Sequence, residues 1–268
     1  MELTKPGLDI IQPDRRVFAP ANADALFTCR SGGVSSGAYG GPDGIMGLNV
    51  APHTGDFGAC VRMNRGIVSQ LVPSDPVWLR QVHGTVIIDA AAAGGEPEAD
   101  ASWSMTPGVV CTVMTADCLP VLLADAEGRI VAAVHAGWKS LAQGIIQKTV
   151  ALMREKTSDD ARIFAWLAPR IGPESFEVGE DVLEAMKAHL PDARQAFAPQ
   201  DNGRYLCDLA ALALQALTGS GVAEADVDDC GLSTAADPKR FYSYRRDGEK
   251  SGRHAAMIWI KPAASSAQ

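Results

Sequence analysis

An α+β fold is predicted by three features of the 268-residue sequence. Short apolar runs of strand length, such as Val109–Met114 and Ile163–Ala168, are mixed with amphipathic stretches of helix length. An apolar share of 47% is ample for a buried core. No internal repeat, low-complexity tract or linker divides the chain, so residues 1–268 are read as a single domain.

After a polar start, a short strand at Leu8–Ile11 is broken by Pro13 and Asp14. A second strand lies near Ala25–Cys29. The Gly- and Ser-rich segment from Arg30 to Gly44 reads as a loop. Such a loop either lays backbone N–H groups against a phosphate or simply covers the surface. It lacks the Gly-Lys-Ser/Thr ending of a Walker A motif. Asp56 is expected to cap a helix from about Phe57 to Leu71, with Val61, Ile67, Val68 and Leu71 on one face. Within that helix Arg65 is most simply exposed or ion-paired, and His53 upstream finds no partner.

Val77–Val82 and Val86–Ala90 read as strands flanking His83-Gly84, where Gly84 supplies backbone freedom. Gln81 precedes His83 by two residues, so on a regular strand both point to one face. Its amide either contacts a ligand or orients His83. Asp100 receives a hydrogen bond in the site or caps a turn. Val109–Met114 is a buried strand leading through Asp117 to Cys118, and alternation turns Asp117 away, toward loop amides. Pro120 suits a turn or a strand edge. Val121–Ala124 and Ile130–Val134 form a hairpin around Asp125–Gly128. Lys139–Lys156 is the clearest helix, with Leu141, Ile145, Thr149, Leu152 and Met153 on its apolar face. The strand Ile163–Ala168 follows, then a helix Asp181–His189 that leaves His189 at the surface. An Ala/Leu-rich helix to about Thr218 and a final strand Ala255–Ile260 complete the order. Before that strand, Arg245, Arg246 and Arg253 make a basic cluster. It is either a salt-bridged loop or a phosphate grip, for which the planar guanidinium fork is suited.

The formal charge of −8 gives no overall basic footprint for nucleic acid, while leaving room for a local patch. The N-terminus has no signal-peptide core, and no apolar run spans a bilayer, so a cytoplasmic protein without a membrane partner is expected. Six scattered cysteines, at 29, 60, 111, 118, 207 and 230, read as reduced thiols. Five are packing residues and Cys118 is the exception.

His83, Cys118 and His135 each stand where a strand gives way to a turn. Taken singly, each is as well explained by packing. Together they match a metal site with one position left for water or substrate, as catalytic zinc sites have. Mixed N and S donors suit zinc or copper.

The segments TADCLPVLL, VHAGW and QVHG together resemble the YfiH family, also called the multicopper polyphenol oxidase (laccase) family. The resemblance runs from TCRSGGVSSG near Cys29 to SGRHAAM near His254. It implies an α/β/β/α sandwich, with two packed mixed sheets and helices outside. It implies a zinc-dependent enzyme that phosphorolyses purine nucleosides and deaminates adenosine, with a nucleoside and phosphate as partners. It identifies His83, Cys118 and His135 as the metal ligands, which double as catalytic residues. It makes Arg30 a candidate anion ligand and places Gln81, Arg245 and Arg253 among the substrate contacts. The segment Ala168-Pro169-Arg170 lacks the family's usual cysteine, so further thiol chemistry there is absent. Copper-dependent polyphenol oxidation, a Cys118–His135 hydrolase and peptidoglycan editing are the competing activities. A non-enzymatic metal clasp would need a fourth protein ligand. A monomer or a homodimer is expected.

Overall fold

The computed structural model describes residues 7–14 and 21–263; the polar start, residues 1–6, lies outside them. In chain order, β1 (Ile10–Ile11), β2 (Ala23–Thr28) and β3 (Ser31–Ser35) precede helix α1 (Gly58–Ser69). Next come β4 (Ile87–Asp89), β5 (Ala101–Ser104), β6 (Cys111–Thr115), β7 (Leu119–Asp125) and β8 (Val131–Ala136). Helices α2 (Trp138–Ala142) and α3 (Ile145–Lys156) lead to β9 (Ile163–Leu167), β10 (Glu177–Val178) and α4 (Glu180–Lys187). The chain ends with β11 (Phe197–Pro199), β12 (Tyr205–Cys207), α5 (Leu209–Gly219), β13 (Val227–Asp229), α6 (Tyr244–Asp247) and β14 (His254–Ile260).

Alternation along the central strands builds the layers. On β7, Leu119, Val121 and Leu123 face one core, formed with Ile145, Val150 and Met153 of α3 and Leu212 and Leu217 of α5. Leu122 and Ala124 face the opposite way, onto Phe27 of β2, Val113 of β6 and Ile258 of β14. On β14, Met257 and Trp259 turn outward to a third core beneath Val68 of α1. A strand side chain has period two, so a sheet buried on both faces must be apolar throughout. LPVLLAD and VAAVHA meet that demand.

The order of layers is therefore α1, a four-stranded sheet, a six-stranded sheet, then α3 and α5. The four-stranded sheet runs β1-β2-β14-β6 and pairs antiparallel throughout. The six-stranded sheet runs β13-β9-β7-β8-β5-β4 and is mixed. The expected sandwich is present, with a further small sheet, β10-β12-β11, beyond it. No helix of the described residues is long and apolar enough to cross a membrane.

Several local expectations need correction. The single helix over 139–156 is two, because Gly144 adopts a left-handed φ of 78° between α2 and α3. Val77–Val82 is extended but makes only isolated bridges, Val77 to Cys111 and Arg80 to Glu98. Part of the Gly/Ser loop is the strand β3. Asp56 does not cap α1; its carboxylate accepts from Ser35 Oγ and Asn49 Nδ2 instead. Pro120 lies inside the central β7, not at an edge. The pairing with β9 begins only at Val121, so the missing N–H breaks no pair there, and the Pro120 carbonyl still accepts from Ala168 N. The hairpin is as expected: the buried Asp125 accepts from Arg129 N at 2.5 Å and Ile130 N at 3.1 Å.

Candidate metal centre and cavity

His135 is the penultimate residue of β8, opposite Pro120 of β7, and Cys118 immediately precedes β7. Sheet pairing therefore sets these two ligands side by side. His83 arrives from the extended segment before β4, which no sheet holds. A single carboxylate fixes it. Asp100, fully buried just before β5, accepts from Val82 N at 3.2 Å, His83 N at 2.9 Å and Gly84 N at 2.7 Å. The same carboxylate accepts from His135 Nδ1 at 2.8 Å. That bond sets the tautomer and leaves His135 Nε2 for a metal. Asp100 is thus the brace between two of the three candidate ligands.

Three N–H groups converge on one oxygen pair because the backbone turns at His83, whose φ is 60°. His83 itself, not Gly84, holds the left-handed conformation. A β-carbon on Gly84 would meet nothing closer than 3.5 Å, so the freedom expected of Gly84 is not used. Gly137 is the glycine that space requires. A β-carbon there would lie 2.9 Å from His83 Cδ2, 3.1 Å from Cys118 Sγ and 3.4 Å from His135 Cε1.

His83, Cys118 and His135 offer ligand atoms all within 4.8 Å of one another. Cys118 Sγ lies 3.8 Å from His83 Nε2. A tetrahedral site with ordinary Zn–S and Zn–N bonds has an S to N edge of about 3.6 Å, so the donor set fits a metal of that kind. No fourth His, Cys, Asp or Glu joins this group among the described residues. The cluster could bind a metal and keep a position open.

Without a metal the centre is still polarised. Burial pushes the Cys118 thiol up, but His135 and His83 outweigh it and hold the thiol low, at about 6. Burial works against the His135 imidazolium, yet Cys118 and Asp100 raise it to about 9. The other shifted cysteines go the opposite way: burial lifts Cys111 and Cys207 to about 12 and Cys230 to about 11. All six cysteines are free thiols. His254, buried against Tyr242 N, is driven down to about 3, chiefly by desolvation.

The centre opens into a cavity of about 590 Å³, within the usual range for small-molecule sites. Its apolar lining includes Trp138, Ile171, Phe176 and Leu209. Its lining also includes Gln81, His53, Tyr244, Arg245 and Arg253. Arg245 Nη1 donates to the carbonyls of Ser175 and Glu177, and its guanidinium lies over the Phe176 ring. Arg253 Nη1 donates to the carbonyls of Ser251 and Gly252, with the guanidinium 5.5 Å from the Tyr244 centroid. Both carry guanidinium N–H groups beyond these bonds.

Gln81 lines the cavity, but its amide is occupied: Nε2 donates to Met114 O and Oε1 accepts from Met114 N. It replaces a missing strand ladder and so steadies the segment carrying His83. Arg30 is not brought to the cavity wall. Its guanidinium donates to the carbonyls of Gly40, Pro238 and Ala38 and lies over Tyr242, binding the Gly/Ser segment to the C-terminal loop. Arg246 is likewise structural, donating to Thr234, Ala235 and Phe241 carbonyls and pairing with Asp247. Asp117 holds loop groups as expected: it accepts from Thr234 Oγ1, Ser243 Oγ and Arg245 N. His53, Trp138, Phe176 and Tyr244 are cavity residues that sequence reasoning missed. They stand in turns or short helices, where no periodicity marks a face.

Residues 24–261 match the family described as multi-copper polyphenol oxidoreductase laccase. A Pseudomonas aeruginosa protein named purine nucleoside phosphorylase is 41% identical over 244 residues, covering 91% of this chain and 96% of that one. The Escherichia coli protein named purine nucleoside phosphorylase YfiH is 42% identical over 247 residues, 90% and 95% of the two chains. A crystal structure of a Neisseria meningitidis protein of family DUF152 superposes with a TM-score of 0.85 at 43% identity, covering 94% of this chain and 99% of that one. The structure of YlmD from Geobacillus stearothermophilus superposes with a TM-score of 0.82 at 26% identity, covering 91% and 94%.

Proposed function

This chain belongs to the multi-copper polyphenol oxidoreductase laccase family, and we propose that it acts, as one domain, as a zinc-dependent purine nucleoside phosphorylase with adenosine deaminase activity. One observation carries the reading. Three metal-capable side chains meet in a cavity lined by apolar side chains and two arginines. The relatives named purine nucleoside phosphorylase support the same substrates, a nucleoside and phosphate.

An N/S donor set with one open position suits zinc, so His83, Cys118 and His135 are assigned as its ligands. Bound there, the ion supplies Lewis acidity and lowers the pKa of water, which is the requirement for deaminating adenosine. Asp100 keeps the proton on His135 Nδ1 and so keeps Nε2 a donor. Trp138, Ile171, Phe176 and Leu209 offer a flat purine an apolar face. Arg253 and Arg245, both lining the cavity, hold phosphate, and the shared enclosure orients it toward the anomeric carbon.

Copper-dependent oxidation is the weaker reading, because the described residues hold one ligand cluster and reduction of oxygen to water needs several redox centres. The thiolate-favouring surroundings of Cys118 are what a metal-free hydrolase would use, but a thiolate held by zinc is not free to attack.

The test is product analysis of adenosine and inosine incubations, with and without phosphate, using zinc-loaded protein and H83A. Free base plus ribose 1-phosphate only with phosphate, lost in H83A, is the expected result. Inosine from adenosine without phosphate identifies the deaminase. If zinc-loaded protein releases neither product, the reading is wrong. Oxygen uptake with a polyphenol that follows copper loading and disappears with zinc would establish the oxidase instead.

A further inference from the structure

His53 is the imidazole on the cavity wall that the metal centre does not use. It stands on the tight turn Pro52–Thr54, with an exposed ring that makes no hydrogen bond among the described residues. The turn beneath it is firmly held. Asn49, fully buried, donates from Nδ2 to Thr54 Oγ1 and Asp56 Oδ2, both at 3.0 Å. Its Oδ1 accepts from Ala51 N at 3.1 Å and from Arg253 N at 2.9 Å. The Tyr39 hydroxyl donates to the Thr54 carbonyl. One buried amide therefore sets both the turn that carries His53 and the backbone of Arg253. An unbonded imidazole on a rigid support, beside a candidate phosphate ligand, is suited to proton transfer.

The proton balance of phosphorolysis states what such a group must do. Hydrogen phosphate dianion attacks the anomeric carbon, and its new C–O bond replaces the C–N bond to the purine. The bonding pair leaves with the base. The phosphate sheds the proton of its hydroxyl on becoming the ester dianion, and the departing base needs one proton on a ring nitrogen. No proton enters or leaves overall, so a carrier must begin and end each turnover in the same protonation state, and one that first takes the proton of phosphate begins neutral. His53 has that resting state. Partial desolvation at the cavity lining, then the charges of Arg253 and Arg65, lower its pKa, against a smaller opposing effect of Glu96.

We propose that His53 is the proton-transfer residue of phosphorolysis, taking the proton that phosphate sheds and delivering it to the departing purine. The assignment rests on the phosphorylase reading.

The test compares inosine with 7-methylguanosine in the zinc-loaded full chain. The methylated base already carries a positive charge and leaves without needing a proton, and its phosphate ester can lose a proton to water afterwards. H53Q and H53N are measured beside wild type, with metal content and thermal midpoint as folding controls. The expected result is a fall in kcat of about 10²- to 10⁴-fold on inosine, with less than about a threefold fall on 7-methylguanosine. Equal loss on both substrates would make His53 a packing or binding residue and overturn the assignment, as would undiminished activity on inosine. If wild type releases base from neither nucleoside with phosphate, the phosphorylase reading fails and this assignment falls with it. Wild-type activity without the substrate split removes this assignment alone.

Discussion

Replacing Gly137 with alanine tests the metal centre with one methyl group. The backbone tolerates the change, since Gly137 has φ −62° and ψ 156°, open to any residue. The obstacle is steric. The new β-carbon would stand 2.9 Å from His83 Cδ2, 3.1 Å from Cys118 Sγ and 3.4 Å from His135 Cε1. Ordinary contact begins near the last of these values, so His83 and Cys118 must each give by a few tenths of an ångström. Metal bonds tolerate about 0.2 Å, and overpacking a tight site costs about 1–3 kcal/mol. If that strain falls on the metal-bound form, Kd for zinc rises by roughly 5- to 150-fold. The metal-free protein, in which the three side chains can move apart, should keep its thermal midpoint. Competition against a chromophoric chelator measures the first quantity, and thermal scans of stripped protein the second. A Kd within about twofold of wild type would refute the argument that the three side chains close on this glycine.

Asp100→Asn places an amide nitrogen against at least one pair of N–H donors. Two charge-assisted bonds are lost at about 1.5–3 kcal/mol each, so the unfolding free energy should fall by about 3–6 kcal/mol and metal affinity by about 10- to 100-fold, read by denaturant titration and chelator competition. In metal-stripped protein, alkylation of Cys118 should reach half its maximal rate near pH 6, while Cys111 and Cys207 stay unreactive at neutral pH; peptide mapping reads both. The sign follows from the shifts. The depressed Cys118 thiol adds stability that is lost as pH falls through about 6, and the raised His135 adds stability that is lost as pH rises through about 9. Arg253→Gln should raise KM for phosphate by at least about tenfold with unchanged zinc content, because one side of the proposed phosphate grip is removed and no proposed metal ligand is touched; steady-state kinetics with varied phosphate decides it.

The layers were legible because burial on both faces leaves a plain mark: LPVLLAD and VAAVHA have no solvent side to signal. The three candidate ligands were legible for a related reason, each being a metal-capable residue where an apolar run stops. What escaped was set by contacts distant in sequence. Gly144 breaks the long helix, although a lone glycine inside a helical pattern is usually tolerated. The positive φ belongs to His83 because Asp100, seventeen residues later, gathers three successive N–H groups. Arg30 lies in a Gly-rich segment that suggests anion binding, yet it does not line the cavity, and three of its N–H groups donate to carbonyls from two loops. Asn49 helps hold the turn that carries His53, and no spacing rule connects that asparagine to Arg253.

If the proposed metal is bound, the brace at Asp100 would also make metal supply a matter of protein lifetime. The donor atoms are scattered between residues 83 and 135, and the carboxylate that orients two of them is useful only when β5 has docked beside β8. A denatured chain therefore offers no comparable chelate. Metal that binds only the native form deepens it by RT ln(1 + [metal]/Kd), about 2.7 kcal/mol at a hundredfold excess over Kd. In a starved cell the same polypeptide would open more often and meet proteases more often, so its abundance would track the zinc quota with no regulator involved.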